Sequence, residues 1–457
     1  MRARINKVKM VMVTALLLIA MMAGAQIRQV ATSAPQSDST AKLTATQQEL
    51  KSRIFEQAGN AMAARELMRS DSIENADGAK FQASLLTCGP GPEIYEYYGH
   101  SAIRICRIDS AGLDLTFNYG VFDFTSDNFA LRFALGETDY ICAMQETSDF
   151  IEHYRRRGIY IDEQVLNMSQ DEITRMLNSL TINCQPENRT YRYNFFFDNC
   201  ATRVRDMIEH SLNGKIEYPQ RPTTRTLRDA VHFYSSAYKW STFGQDLLIG
   251  QRADQPATGT ELQFAPLILQ QDFNSAVRTS LTGMVSPIVK EQHRLLDLPP
   301  IAAQPAFPVT PLAIAIIMLA GAIGLGAWEY RKGRICWQAD TALLALQGLA
   351  GCLVAFLFLF STHPTVGSNW LIWVLNPLPL IGIYWQMRGA RQQRYKDYHV
   401  VSAMVIAGFL LATLFIKQVL GTEIIILVLC LLIRNMTNMM VWLKLQRQKR
   451  QQQSPRR

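Results

Sequence analysis

Five apolar runs crowd the last third of the chain, at residues 311–328, 341–360, 371–385, 400–416 and 424–442. Each has, or nearly has, the roughly 20 residues that a helix needs to cross a bilayer's hydrocarbon core. In that medium backbone N–H and C=O groups must be satisfied within the segment, so such runs read as spanning helices. The third is short and holds Pro377 and Pro379, which predicts a tilted or broken span. The fifth holds Arg434, which is expected to face protein or a polar cavity rather than lipid.

The charges between the runs set an orientation. Arg331, Lys332 and Arg334 follow the first run, and Arg388, Arg391, Arg394 and Lys396 follow the third. Lys444, Arg447, Lys449 and Arg450 follow the fifth, whereas the alternate loops, 361–370 and 417–423, hold a single Lys or Arg, Lys417. The positive-inside rule places the basic loops in the cytoplasm, and an odd number of spans leaves the large domain ahead of them outside. The opposite end of the chain agrees. Residues 1–9 are basic, 10–22 are apolar, and Ala23-Gly24-Ala25 fits a small-residue cleavage site, the pattern of a secretory signal. An uncleaved signal anchor is the rival reading, with the same consequence for export.

These boundaries give a signal segment at 1–25, an exported domain at 26–305, an all-α five-span membrane domain at 306–443 and a basic cytoplasmic tail at 444–457. The formal net charge of +8 therefore gathers in the cytoplasmic pieces. No patch for nucleic acid stands out, and the basic tail needs no role beyond topology.

Eight cysteines divide by compartment. Cys336, Cys352 and Cys430 fall in or beside spans, while Cys88, Cys106, Cys142, Cys184 and Cys200 are exported. Five is odd, so at least one exported thiol has no partner within the chain, and its pairing scheme stays open. An oxidising compartment tends to pair stray thiols, so a retained free one points to use. No Cys-x-x-Cys occurs, which argues against zinc and against a thioredoxin-like motif, and no metal or cofactor is expected.

In the exported domain, residues 26–45 read as a tether and 47–68 have helical spacing. Strands are expected at 81–87, 101–108, 113–119, 140–145, 160–166 and 191–197, the second and third forming a hairpin. Helices are expected at 147–156, at 170–182 behind the capping box Ser169-Gln170-Asp171-Glu172, and at 200–212 with Gly214 as its stop. Residues 225–295 read as mostly helical.

Two positions carry the chemistry. Cys200 opens a helix behind Asp198 and Asn199, either of which can cap it. The helix dipole favours a thiolate there, and a nearby imidazole lowers a thiol pKa further. His100 heads an apolar strand in Tyr98-Gly99-His100-Ser101-Ala102. Together they are a candidate nucleophile and base; the competing reading is a small buried cysteine and a structural histidine. Orienting or oxyanion-stabilising groups would come from Asn118, Tyr119 or Asp123 on the returning strand, or from Asn199. Tyr98, Arg203 and Arg205 are candidates for contacting substrate, the arginines through a phosphate. Cys88 is the runner-up nucleophile, without a following helix. His153, His210 and His293 are read on charged helices, and His232 beside aromatics.

A histidine on the first strand of a hairpin, followed by Asn-Cys at a later helix N-terminus, resembles the permuted papain-like fold of the NlpC and lecithin–retinol acyltransferase group. A closer likeness runs nearly the whole chain. Leu86-Thr87-Cys88-Gly89-Pro90-Gly91, Tyr98 to Arg104, Asn118 to Phe124 and Asp198 to Arg203, with an exported domain followed by five spans, look like the Lnb-type family. That family is understood as bacterial lipoprotein N-acyltransferases of the inner membrane. The resemblance implies an α+β papain-like periplasmic domain, Cys200 and His100 as catalytic residues, a phospholipid acyl donor and diacylglyceryl lipoproteins as acceptors. A cell-wall peptidase or amidase of NlpC type, and a non-catalytic membrane receptor or assembly factor, are the alternatives.

Overall fold

The computed structural model describes residues 80–109, 112–122, 128–222, 224–302, 307–392 and 398–453. The signal segment, the tether and the helix expected at 47–68 lie outside them. The described chain forms two compact units.

The first unit takes its residues from Gln36–Ala237 and Pro256–Gln304. Its frame is a sheet of β1 (Phe81–Cys88), β2 (His100–Arg107), β3 (Asp114–Val121), β4 (Asp139–Glu146), β5 (Ile161–Leu166), β6 (Thr190–Arg192) and β10 (Val289–Leu296). The strand order is β10-β5-β1-β2-β3-β4-β6, antiparallel throughout. The helices are α1 (Phe129–Leu135), α2 (Thr147–Arg156), α3 (Gln170–Asn183), α4 (Cys200–Ser211), α5 (Leu227–Ser235), α6 (Gly259–Leu262) and α7 (Pro266–Ser275). A small second sheet joins β7 (Gly214–Glu217), β8 (Val277–Ser280) and β9 (Val285–Pro287).

Alternation along the strands buries both faces of the large sheet. Ala83, Leu85, Ile103, Ile105, Leu115 and Phe117 face one way, toward Met176 and Leu180 of α3, Val204 and Ile208 of α4, and Leu269 and Phe273 of α7. Leu86, Cys88 and Ala102 face the other way, toward Phe150 and Tyr154 of α2. Several local expectations change. The strand expected at 191–197 stops at Arg192, because Asn194 and Asp198 pair backbone to backbone and fold the aromatic run into a turn. Helix α4 ends at Ser211, and Gly214, at φ +130°, begins β7 instead of stopping the helix. Residues 277–280, 285–287 and 289–296 are strands, not helix. Val277, Val285 and Val289 supply β-branched side chains that favour strand over helix. His293 accordingly lies on β10, where it pairs with the buried Glu163 (2.7 Å). Cys142 on β4 and Cys184 beyond α3 bring their sulfurs within 3.2 Å of each other.

The second unit takes Tyr238–Gln255 and Pro305–Arg457. Its helices are Lys239–Leu248, then α8 (Pro311–Lys332), α9 (Trp337–Phe360), α10 (Leu378–Arg391), α11 (Tyr398–Ala412) and α12 (Thr422–Gln453). Among the described residues, three helices are long and apolar enough to cross a membrane: Pro311–Lys332, Trp337–Phe360 and Thr422–Lys449. The other two expected spans are shorter. The fourth is the 15-residue α11. The third breaks into the short 3₁₀ turn Trp370–Trp373 and the 14-residue α10, with Pro377 at its cap and Pro379 in its first turn. A helix of that length reaches only about 21 Å. Arg434 is 5% exposed and faces protein, as expected. Its guanidinium donates to both oxygens of Glu329 on α8 (2.7 and 3.0 Å) and to Asp340 on α9 (2.8 Å). Asn438, one turn further on, donates to the other Asp340 oxygen (2.9 Å).

Candidate active site

The turn formed by Asn194 and Asp198 delivers the chain to α4. Asn199 is the N-cap: its side-chain oxygen accepts from the N–H groups of Ala201 (2.9 Å) and Thr202 (3.0 Å). Its amide nitrogen donates to the carbonyls of Phe195 and Phe264 (2.9 and 2.8 Å). The Asn199 N–H in turn donates to Thr202 Oγ1 (2.8 Å). Asn199 is thus fully used as a cap and leaves no amide hydrogen for an oxyanion. The cap fixes Cys200 as the first helical residue, where the dipole stabilises negative charge.

His100 opens β2 directly after Gly99. At φ +81°, Gly99 has a backbone that a side chain would strain, and a Cβ there would meet the Cys88 carbonyl at 2.6 Å. On β3 the register with β4 slips between Asn118 and Val121, a bulge containing Gly120 at φ +88°. The bulge brings three groups to one point. A Cβ on Gly120 would lie 3.5 Å from Cys200 Cβ, 3.7 Å from His100 Cε1 and 3.9 Å from the Tyr191 hydroxyl.

The imidazole is held from behind. His100 Nε2 donates to Asn118 Oδ1 at 2.6 Å, which leaves Nδ1 for the thiol proton. Burial pushes the Cys200 thiol up, but the His100 charge, the His100 hydrogen bond and the N–H groups of Ser101 and Ala201 together hold it below the ordinary thiol value. Reciprocally, burial pulls His100 down. The Cys200 charge and the hydrogen bonds to Cys200 and Asn118 outweigh that, so His100 lies above the ordinary imidazole value. Opposite shifts in a bonded thiol and imidazole favour a thiolate–imidazolium pair. Cys88, the alternative nucleophile, is fully buried, and burial drives its thiol far above the usual range.

The other sequence candidates have different partners. Tyr119 lies on the sheet face opposite Asn118, and its hydroxyl accepts from Asn183 (2.8 Å), so it does not orient His100. Asp123 lies outside the described residues. Arg203 pairs with Asp198 (2.8 Å) and stacks 3.8 Å above the Tyr191 ring. Arg205 holds Asp206 (2.6 Å) and the Thr260 carbonyl (2.8 Å). Both arginines therefore brace α4 in this structure instead of presenting a free phosphate site. Tyr98 is buried edge-on against Phe195 and Tyr234.

Sequence reading did not single out the cavity wall. A cavity of about 150 Å³ is lined by His100, Asn118 and Gly120 together with Tyr95, Phe122 and Phe150. Phe122 stacks on Phe129 of α1, a seven-residue helix with no buried side chain and with Phe133 exposed. The cavity also carries an Arg157–Glu96 ion pair. Only the glycine at position 120 and the aromatic spacing of 122–133 were available as signals in the sequence. Among the described residues, no cluster of three His, Cys, Asp or Glu side chains is placed to hold a metal.

Two family models match the chain: the Lnb N-terminal periplasmic domain over residues 70–231, and the Lnb transmembrane domain over residues 302–446. The chain belongs to the Lnb family. It has the two-domain architecture of an Lnb-type lipoprotein N-acyltransferase, with a periplasmic sheet-rich domain ahead of a helical membrane domain. No curated protein and no solved structure matches it. The Lnb periplasmic match contains His100, Asn118, Gly120, Tyr191 and Cys200, whereas β8, β9 and β10 lie beyond it.

Proposed function

We propose that this Lnb protein is a lipoprotein N-acyltransferase that uses Cys200 as nucleophile, His100 as base and Asn118 as the group that positions the imidazole. The observation that carries the reading is the His100–Asn118 hydrogen bond of 2.6 Å behind a helix-capped cysteine whose thiol is held low by that same histidine. The fold is read as a permuted papain-like domain, since the histidine strand precedes the cysteine helix. The membrane domain is read as five passes with the C-terminus in the cytoplasm of a bacterial inner membrane.

The reaction has two halves. The Cys200 thiolate attacks an ester carbonyl of a phospholipid; the C–S bond forms, the ester C–O bond breaks, and His100 gives its proton to the departing lysophospholipid alkoxide. The α-amine of a diacylglyceryl-cysteine then attacks the thioester, His100 takes the amine proton, and the thiolate leaves. No cofactor enters either half. The apolar lining of Tyr95, Phe122 and Phe150 beside His100 suits an acyl chain better than a cell-wall peptide.

The test is mass spectrometry of a lipoprotein N-terminus from cells relying on this chain or on its Cys200→Ala form. The third acyl chain is expected to vanish in the variant while the protein stays folded in the membrane. Persisting triacylation would overturn the assignment and leave wall-peptide hydrolysis as the reading to pursue.

A further inference from the structure

Tyr191 sits at the heart of β6, 7% exposed, with its ring against Tyr119 and under the Arg203 guanidinium. Its neighbours in that core have their polar atoms satisfied: the Tyr119 hydroxyl has Asn183, and Arg203 has Asp198. The Tyr191 hydroxyl has no hydrogen-bond partner among the described residues. A buried, unpaired O–H is costly, and where one persists it calls for a reason. Its position supplies one. The hydroxyl points at the space over Gly120 that Cys200 Cβ and His100 Cε1 also border, each within 4 Å of the point a Cβ would occupy there. Gly120, lacking a side chain, keeps that space open.

We infer that the Tyr191 hydroxyl is a catalytic oxyanion donor, a role that rests on the acyl-transfer reading above. When the Cys200 thiolate bonds to the carbonyl carbon, the C=O π pair moves onto oxygen. That oxygen accepts a hydrogen bond from Tyr191 O–H, whose proton stays on the tyrosine throughout. Collapse restores the C=O bond and expels the alkoxide, which takes its proton from His100. The same donor serves the tetrahedral species formed by the incoming amine. Burial first, and the Cys200 charge second, hold the phenol well above its ordinary value, so it remains a donor while the neighbouring thiol ionises. The arrangement also accounts for Arg203: stacked on the ring and locked to Asp198, it fixes the tyrosine in place.

The test compares full-length enzyme with Tyr191→Phe, which keeps the ring and removes only the hydroxyl. Acylation of Cys200 by a phospholipid donor is expected to slow by about 10²–10³-fold, the range for loss of one oxyanion donor. Alkylation of Cys200 by iodoacetamide, a displacement at saturated carbon that forms no oxyanion, is expected to keep its wild-type rate and pH profile. Undiminished acylation in Tyr191→Phe, with wild type active, would overturn the Tyr191 role alone. A parallel fall in acylation and alkylation would also overturn it, showing that the hydroxyl only positions the thiol. If wild-type Cys200 accepts no acyl group from any ester, the acyl-transfer reading and this role fall together.

Discussion

Replacing His100 by alanine is expected to lower the rate of Cys200 acylation by about 10³-fold, close to 4 kcal/mol of transition-state stabilisation. The reason is visible in the balance at the sulfur. Burial alone pushes the Cys200 thiol up; the histidine's charge and hydrogen bond bring it back below the ordinary value. Without them the thiol loses its two largest stabilising contacts, keeps the N–H groups of Ser101 and Ala201, and should titrate higher than in wild type. The pH profile of iodoacetamide alkylation should therefore shift upward. In wild type the thiolate forms on the acid side of a normal cysteine, and in His100→Ala it should form at higher pH than in wild type. Because the His100 value is raised by the same contacts, wild type should keep its proton donor to a pH above the ordinary imidazole range. An unchanged alkylation profile in His100→Ala would show that the pairing does not set the reactivity of Cys200.

The second large effect belongs to the membrane domain. Arg434→Met is expected to destabilise that unit by about 3–5 kcal/mol, the usual cost of removing one partner from a buried ionic cluster. Glu329 is fully buried and Asp340 nearly so, and the Arg434 guanidinium bonds both. The cluster joins α8, α9 and α12, so its loss should lower the unfolding temperature of the full chain in detergent. Adding Glu329→Gln and Asp340→Asn removes the uncompensated charge and should recover part of the loss. Equal unfolding temperatures for wild type and Arg434→Met would contradict a structural role for the cluster.

Much of this architecture was legible in the residues because its signals are local. Thr147–Arg156 and the helix behind Ser169 follow from helical spacing and a capping box. Cys200 at a helix N-terminus follows from Asn199, a cap residue ahead of an amphipathic stretch. The Asn118 bond to His100 was legible only as one of several alternatives, since hairpin register brings Asn118, Tyr119 and Asp123 near together in sequence. Strand alternation is what separates them, and it turns Tyr119 into the core. Illegible features depend on distant partners. β10 forms because β5 offers it an edge and β8 because β7 does, pairings across sixty residues or more, and β9 then adds to β8. Tyr191 looked like one aromatic among many in 191–197, since its hydroxyl comes near the Gly120 bulge of β3 only once β6 has paired with β4.

The most direct measurement of the central claim is peptide mass spectrometry of the full-length protein after acid quenching with a phospholipid donor and no lipoprotein acceptor. An acyl group on Cys200, released by neutral hydroxylamine and passed to a diacylglyceryl-cysteine peptide when that is added, is the predicted result. Acceptor acylation without any acyl-Cys200, or with the acyl group on another residue, would contradict it.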